Sequence, residues 1–151
     1  MIRWATLFLL VALSPAAAQT VEPCDWRASA ANVVEPWIDN SQTFANGDVR
    51  LAVLDTVEPA AGAYHLLILS PPYSELGDRQ CRVVSLDGSL GFAGLTLDAI
   101  EADYDPARGL VFALPAALYD PDTGAGNWGQ LFVTLNQASG EITTGMGDLA
   151  Q

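Results

Sequence analysis

Acid-Pro-x-x-Gly occurs three times in this chain: Glu58-Pro59-Ala60-Ala61-Gly62, Asp105-Pro106-Ala107-Arg108-Gly109 and Asp120-Pro121-Asp122-Thr123-Gly124. Each part has a local job. A carboxylate at the first turn position accepts backbone N–H groups, Pro pre-sets φ at the next, and Gly takes the left-handed position. Gln137-Ala138-Ser139-Gly140 repeats the Gly placement without Pro. Asn46-Gly47 and Asp87-Gly88 are signals for type I′ hairpins. The three copies are unevenly spaced, so they are turns and not repeat units. Turns this dense leave room for short strands and none for crossover helices, which excludes a parallel sheet.

The segments between the turns read as strands. They are Val49 to Thr56, Ala63 to Ser70, Cys81 to Asp87, Phe92 to Tyr104, Leu110 to Leu114, Gly129 to Asn136 and Glu141 to Met146. Ala63 to Leu69 is apolar on both faces and should be central. Leu131, Val133 and Leu135 alternate with polar residues, although Phe132 is apolar too. Pro115 should stop or bend its strand and mark an edge. Cys24 to Val34 looks helical, with Asp25 as N-cap and Pro36 ending it. The expected fold is all-β: a single antiparallel meander forming a sandwich or small barrel, with one short N-terminal helix.

The first residues have the pattern of an export leader. Arg3 precedes an apolar run, Ala5 to Leu13, that is too short to span a bilayer, and Ser14 to Ala18 ends in small residues. Residues 1–18 are expected to be a signal peptide cleaved after Ala18, leaving 19–151 as a single exported β domain, periplasmic or secreted, with no membrane span. That length suffices for a core, since such a chain buries roughly two-thirds of its unfolded surface. There are 18 Asp and Glu, six Arg and no Lys, for a net charge of −12. A surface this acidic repels nucleic acid and anionic membranes. Cys24 and Cys81 are the two Cys, and in an oxidising compartment an even count reads as one disulfide.

Several constellations could carry chemistry. Glu101, Asp103 and Asp105 share one face of a strand, about 6.5–7 Å apart from one to the next. Ile100, Ala102 and Tyr104 form the other face and look core-like. Leu95 and Leu97 have the opposite parity, so the register should shift at a bulge near Asp98-Ala99. The acidic face then faces solvent and Asp105 caps the turn. A calcium site wants six or more converging oxygens at a different spacing, and a paired-carboxylate hydrolase is the rival enzymatic reading. His65, the single His, is expected buried and hydrogen-bonded in mid-strand. One His and a disulfide pair cannot make a zinc site. Ser89 lies in a turn that lacks the first Gly of a nucleophile elbow. Trp128 follows a loop with two Gly, and Tyr73 follows Pro71-Pro72; both are candidate ligand-binding aromatics. No catalytic residue, metal ligand or cofactor is assigned. The expected function is an exported, non-catalytic binding or interaction module for an envelope ligand or protein. The alternatives are a small hydrolase using the paired carboxylates and a structural envelope component.

Overall fold

A computed structural model describes residues 18–148. The expected leader therefore lies outside the described residues, apart from Ala18. Among the described residues no helix is long and apolar enough to cross a membrane.

The chain folds into two five-stranded antiparallel sheets, not one continuous meander. The strands of the first are β1 (Thr20–Pro23), β2 (Ser41–Phe44), β3 (Val49–Asp55), β4 (Tyr64–Tyr73) and β5 (Arg79–Ser85), in the order β1-β5-β4-β3-β2. The second holds β6 (Gly94–Leu95), β7 (Glu101–Asp105), β8 (Gly109–Asp120), β9 (Ala125–Leu135) and β10 (Ile142–Gly147). Its order is β10-β9-β8-β6, with β7 also paired to β8. Both orders have ends, so neither sheet closes on itself.

The side-chain period of two sorts each strand into an inner and an outer face. Val49, Leu51 and Val53 from β3, Leu66 and Ile68 from β4, and Val84 from β5 point inward. They meet Phe112, Leu114, Leu131, Val133 and Leu135 from the second sheet in one buried core. Phe44 packs edge-on against Phe112 at 4.8 Å between ring centroids. As its two-faced apolar pattern implies, β4 lies at the centre of its sheet.

The turn reading holds at the second and third copies and changes at the first. Gly109 and Gly124 have positive φ, as does Gly140. Asp105 Oδ1 accepts the Ala107 N–H at 2.8 Å, and Asp120 Oδ1 accepts that of Asp122 at 2.9 Å. In the first copy it is Asp55 that accepts, from the N–H of Val57, at 2.7 Å. Gly62 is not left-handed there; a Cβ on it would lie 2.8 Å from the Gly91 carbonyl oxygen. It is small for packing, not for conformation. Asp87-Gly88 makes a tight turn closed by Leu90, but β5 ends before it and β6 belongs to the other sheet, so it starts a crossing and not a hairpin.

Four further expectations are corrected. The segment from Phe92 to Tyr104 is two strands: the chain breaks at Thr96–Ile100, where a bulge was expected, and both β6 and β7 pair with β8. Leu95 and Leu97 are core, but Ala102 and Tyr104 are exposed, because β7 is an edge strand with nothing packed on either face. Pro115 does not end its strand or mark an edge. Its carbonyl accepts the Thr96 N–H at 3.3 Å, on the side where β6 gives way to β7. In an antiparallel pair a residue's N–H and C=O point the same way, so the donor that Pro lacks falls in that gap. The Cys24–Val34 segment is not an α-helix. It forms two single-turn 3-10 helices, Trp26–Ala28 and Ala30–Asn32, capped by the Asp25 and Ser29 side chains. Ser29, at their junction, is extended and breaks the helical run.

This N-terminal segment is a strap across the outer face of the first sheet. Ala52, Leu54, Leu67 and Val83 point outward from the main core, yet they are buried because Cys24, Ala28 and Val33 pack on them. Burying a Leu or Val side chain stabilises by about 1.5–3 kcal/mol, so this cover is a second small core. Cys24 and Cys81 fasten it in a disulfide that links positions 57 residues apart, with Cα atoms 5.4 Å from each other. On the chain-entropy model a loop of this size contributes up to about 4 kcal/mol, comparable to the packing beneath the strap. Reduction should therefore lower the unfolding free energy measured in urea by an amount approaching that figure while leaving a cooperative transition. Unchanged stability on reduction would mean that packing alone holds the strap.

Candidate functional site

Among the described residues, nothing like the strap crosses the second sheet. Antiparallel pairing sets Val111, Ala113, Pro115, Ala117 and Tyr119 of β8 opposite Thr134, Phe132, Gln130, Trp128 and Gly126 of β9. Their neighbours Phe112, Leu114, Leu131 and Val133 occupy the core, so this set faces outward. Three of its members are large aromatics with much of their surface in water: Trp128 at 47%, Phe132 at 42% and Tyr119 at 47% exposure.

Glycines on β6 and β10 make room for two of these rings. A Cβ on Gly94 would lie 2.9 Å from Trp128 Cη2, and one on Gly147 would lie 2.9 Å from Phe132 Cε2. Each ring therefore lies across its own sheet on a strand without a side chain at that point, which restores the packing a glycine lacks. The result is a shallow aromatic surface. A hollow of about 290 Å³ beside Phe132 is lined by Glu101, Asp103, Val111 and Ala113. A second, of about 220 Å³, lies between Trp128, Met146 and Asp148.

The expected site residues are distributed as follows. Trp128 is within β9, not in a loop, and it lies on the sheet surface. Tyr73 ends β4 in the other sheet, and its hydroxyl donates to Asp48 Oδ1 at 2.7 Å. The two aromatics thus belong to different sheets. Glu101 and Asp103 come together beside Phe132. Asp105 leaves them for the turn, where Arg108 Nε donates to its Oδ2 at 2.7 Å. That bond, with the one from the Ala107 N–H, holds its carboxyl below the usual carboxylate range. Among the described residues, no group of three or more His, Cys, Asp or Glu side chains is placed to hold a metal ion. Sequence reasoning missed Phe132 and Tyr119 as members of this surface. Phe132 carried a signal: it is the apolar residue that breaks the alternation of β9.

A polar cluster lies under the strap. Arg27 is buried and fans out to four partners: Asp25 Oδ1 at 2.9 Å, Glu22 Oε2 at 2.7 Å, Ser85 Oγ at 3.0 Å and the Gly88 carbonyl at 3.0 Å. Ser85 Oγ also meets His65 Nδ1 at 2.8 Å. Ser85 Oγ accepts from Arg27 and also bonds His65 at Nδ1, and the direction of that second bond follows the tautomer of the ring. Gly91 walls the ring, since a Cβ there would lie 2.9 Å from His65 Cε1. His65 and Ser85 are both buried, so a substrate cannot reach this Ser-His pair.

Burial, followed by the charge of Arg27, pushes the His65 pKa down to about 4. The unfolded chain takes up its proton near the ordinary value of 6.5, so between pH 6.5 and 4 the native state binds fewer protons. Stability from this group is complete above pH 6.5 and falls with pH by up to about 1.4 kcal/mol per unit down to about 4. Asp25, whose pKa Arg27 lowers by hydrogen bonding, contributes its own loss only below that window. The ring resonances of this single His should titrate near 4 in native protein; a midpoint near 6.5 would contradict the buried geometry.

No family model matches the chain, and no curated protein or solved structure shows significant similarity to it.

Proposed function

We propose that this chain is an exported, non-catalytic binding module of the periplasm that engages a protein partner through the outer face of its second sheet. The supporting observation is an asymmetry. Both sheets carry apolar side chains outward, but the strap covers only the first. The second leaves Trp128, Phe132 and Tyr119 in water. Several large aromatics exposed on one face of a folded domain are characteristic of an interaction surface, and half-exposed aromatics on a rigid sheet lose little side-chain entropy when covered. Glu101, Asp103 and Asp148 line the adjoining hollows. They favour a partner whose apolar patch is bordered by basic groups, which would associate more slowly as salt is raised. In this reading the fold is a β-sandwich serving as a scaffold, and the acidic residues steer but do not react.

The test is a pair of variants, Trp128→Ala and Phe132→Ala. Both rings are half-exposed, so each variant should unfold cooperatively with a modest loss of stability. Capture of a partner from a periplasmic extract should weaken by about 30-fold per ring, the equivalent of a hot spot of roughly 2 kcal/mol. Variants that fold and still capture normally would move the site elsewhere, with Tyr73 as the next candidate. Unfolding on either substitution would make these rings part of the core.

The export reading rests on Arg3, the apolar run Ala5 to Leu13 and the small residues ending at Ala18. The Cys24–Cys81 disulfide fits an oxidising compartment. Expressed in a bacterial host, the protein should be recovered from the periplasm with Gln19 as its first residue. An intact mass that retains the leader would overturn this reading.

A further inference from the structure

The strap does not seal the first sheet completely. Between its far end and the strands runs a groove of about 250 Å³. Ala52, Leu67 and Leu69 form the floor, Val33 and Trp37 form the strap side, and Arg50 lies at the edge. The Trp37 ring is 55% exposed, although Ser41 Oγ donates to the Trp37 carbonyl at 2.8 Å and ties its backbone in place.

Arg50 distinguishes this groove. Among the described residues, the other four guanidinium groups each donate within the chain. Arg27 and Arg108 bind carboxylates, while Arg79 and Arg82 donate to the carbonyls of Gly47 and Cys81. Arg50 donates no hydrogen bond and forms no ion pair there, despite a chain with 18 carboxylates. It occupies the outer face of β3, two residues from Ala52 on the groove floor. An open apolar trough with one uncommitted planar cation at its edge matches a ligand with an apolar body and a single anionic end.

We propose that this groove binds a small amphiphilic carboxylate, with its apolar body on Leu67 and Leu69 against Trp37 and its carboxylate paired with Arg50. The volume corresponds to that of about eight water molecules, which suits a compact aromatic or branched acid. A guanidinium pairs with a carboxylate through two parallel N–H···O bonds, which a neutral amide cannot reproduce. The net charge of −12 opposes the approach of any anion, so recognition depends on Arg50 at short range and not on steering. The site is independent of the aromatic face on the second sheet and stands whether or not that face binds a protein.

The probes are 3-phenylpropanoate and its neutral isostere 3-phenylpropanamide, titrated into the intact disulfide-bonded protein at millimolar concentrations. Binding is read from the indole N–H resonance of Trp37 by NMR. The acid should shift Trp37 saturably and leave Trp128 unmoved, and the amide should bind about tenfold more weakly. Arg50→Gln should lose about tenfold in affinity for the acid and no longer distinguish the two probes. Arg50 is exposed, so that variant should fold; Arg50→Lys, which keeps the charge without the fork, should recover only part of the affinity. Equal affinity for acid and amide would overturn the role of Arg50. Shifts at Trp128 in place of Trp37, or no saturable shift with either probe, would overturn the site.

Discussion

The architecture depends on a sheet that is apolar on both faces. Leu66 and Ile68 of β4 point into the main core, while Leu67 points the other way. A strand of this kind leaves no face for water, so the first sheet needs cover on two sides. The second sheet covers one side. The strap from Cys24 to Val33 covers the other, held by a covalent link at Cys24 and by Arg27. The cover is thin: of the two single turns of 3-10 helix only Arg27 is fully buried, so the strap depends on being fastened as much as on what it covers.

That choice of cover has two consequences for chemistry. At its near end the strap closes over polar groups, where Arg27 satisfies Ser85, and burial together with the Arg27 charge keeps His65 neutral. A serine and a histidine 2.8 Å apart would suggest catalysis elsewhere; here they are sealed beside a fixed cation and act as structure. At its far end the strap stands off from the sheet and leaves the groove beside Trp37. The second sheet, uncovered among the described residues, lays aromatic rings of its outer face across its glycines. The two outer surfaces therefore differ in kind: one offers a narrow trough with a cation, the other a broad aromatic plane with acids around it.

The sequence alone determined what depends on local chemistry. The density of Pro, Gly and acid residues required antiparallel strands, because each turn is specified within four or five residues. The turn roles of Asp105, Asp120, Gly109, Gly124 and Gly140 follow from the same local logic. The central place of β4 followed from its lack of a polar face, and the burial of His65 from its position in that strand. Cysteine count was enough to pair Cys24 with Cys81.

What spans strands was decided only by the tertiary structure. Alternation tells which residues share a face, but not whether another layer covers that face. Ala102 and Tyr104 had a core-like period and are exposed because β7 lies at an edge, whereas Leu54 and Val83 are buried by a strap with no strong periodicity of its own. Pro115 sits in a paired strand because a gap between two other strands falls beside it. Trp128 and Phe132 form a surface only through the register of β9 with β8 and the glycines of β6 and β10. Turn chemistry acts over a few residues and can be read from the chain. Cover, register and the company of a side chain depend on segments tens of residues apart, and no single stretch of sequence carries them.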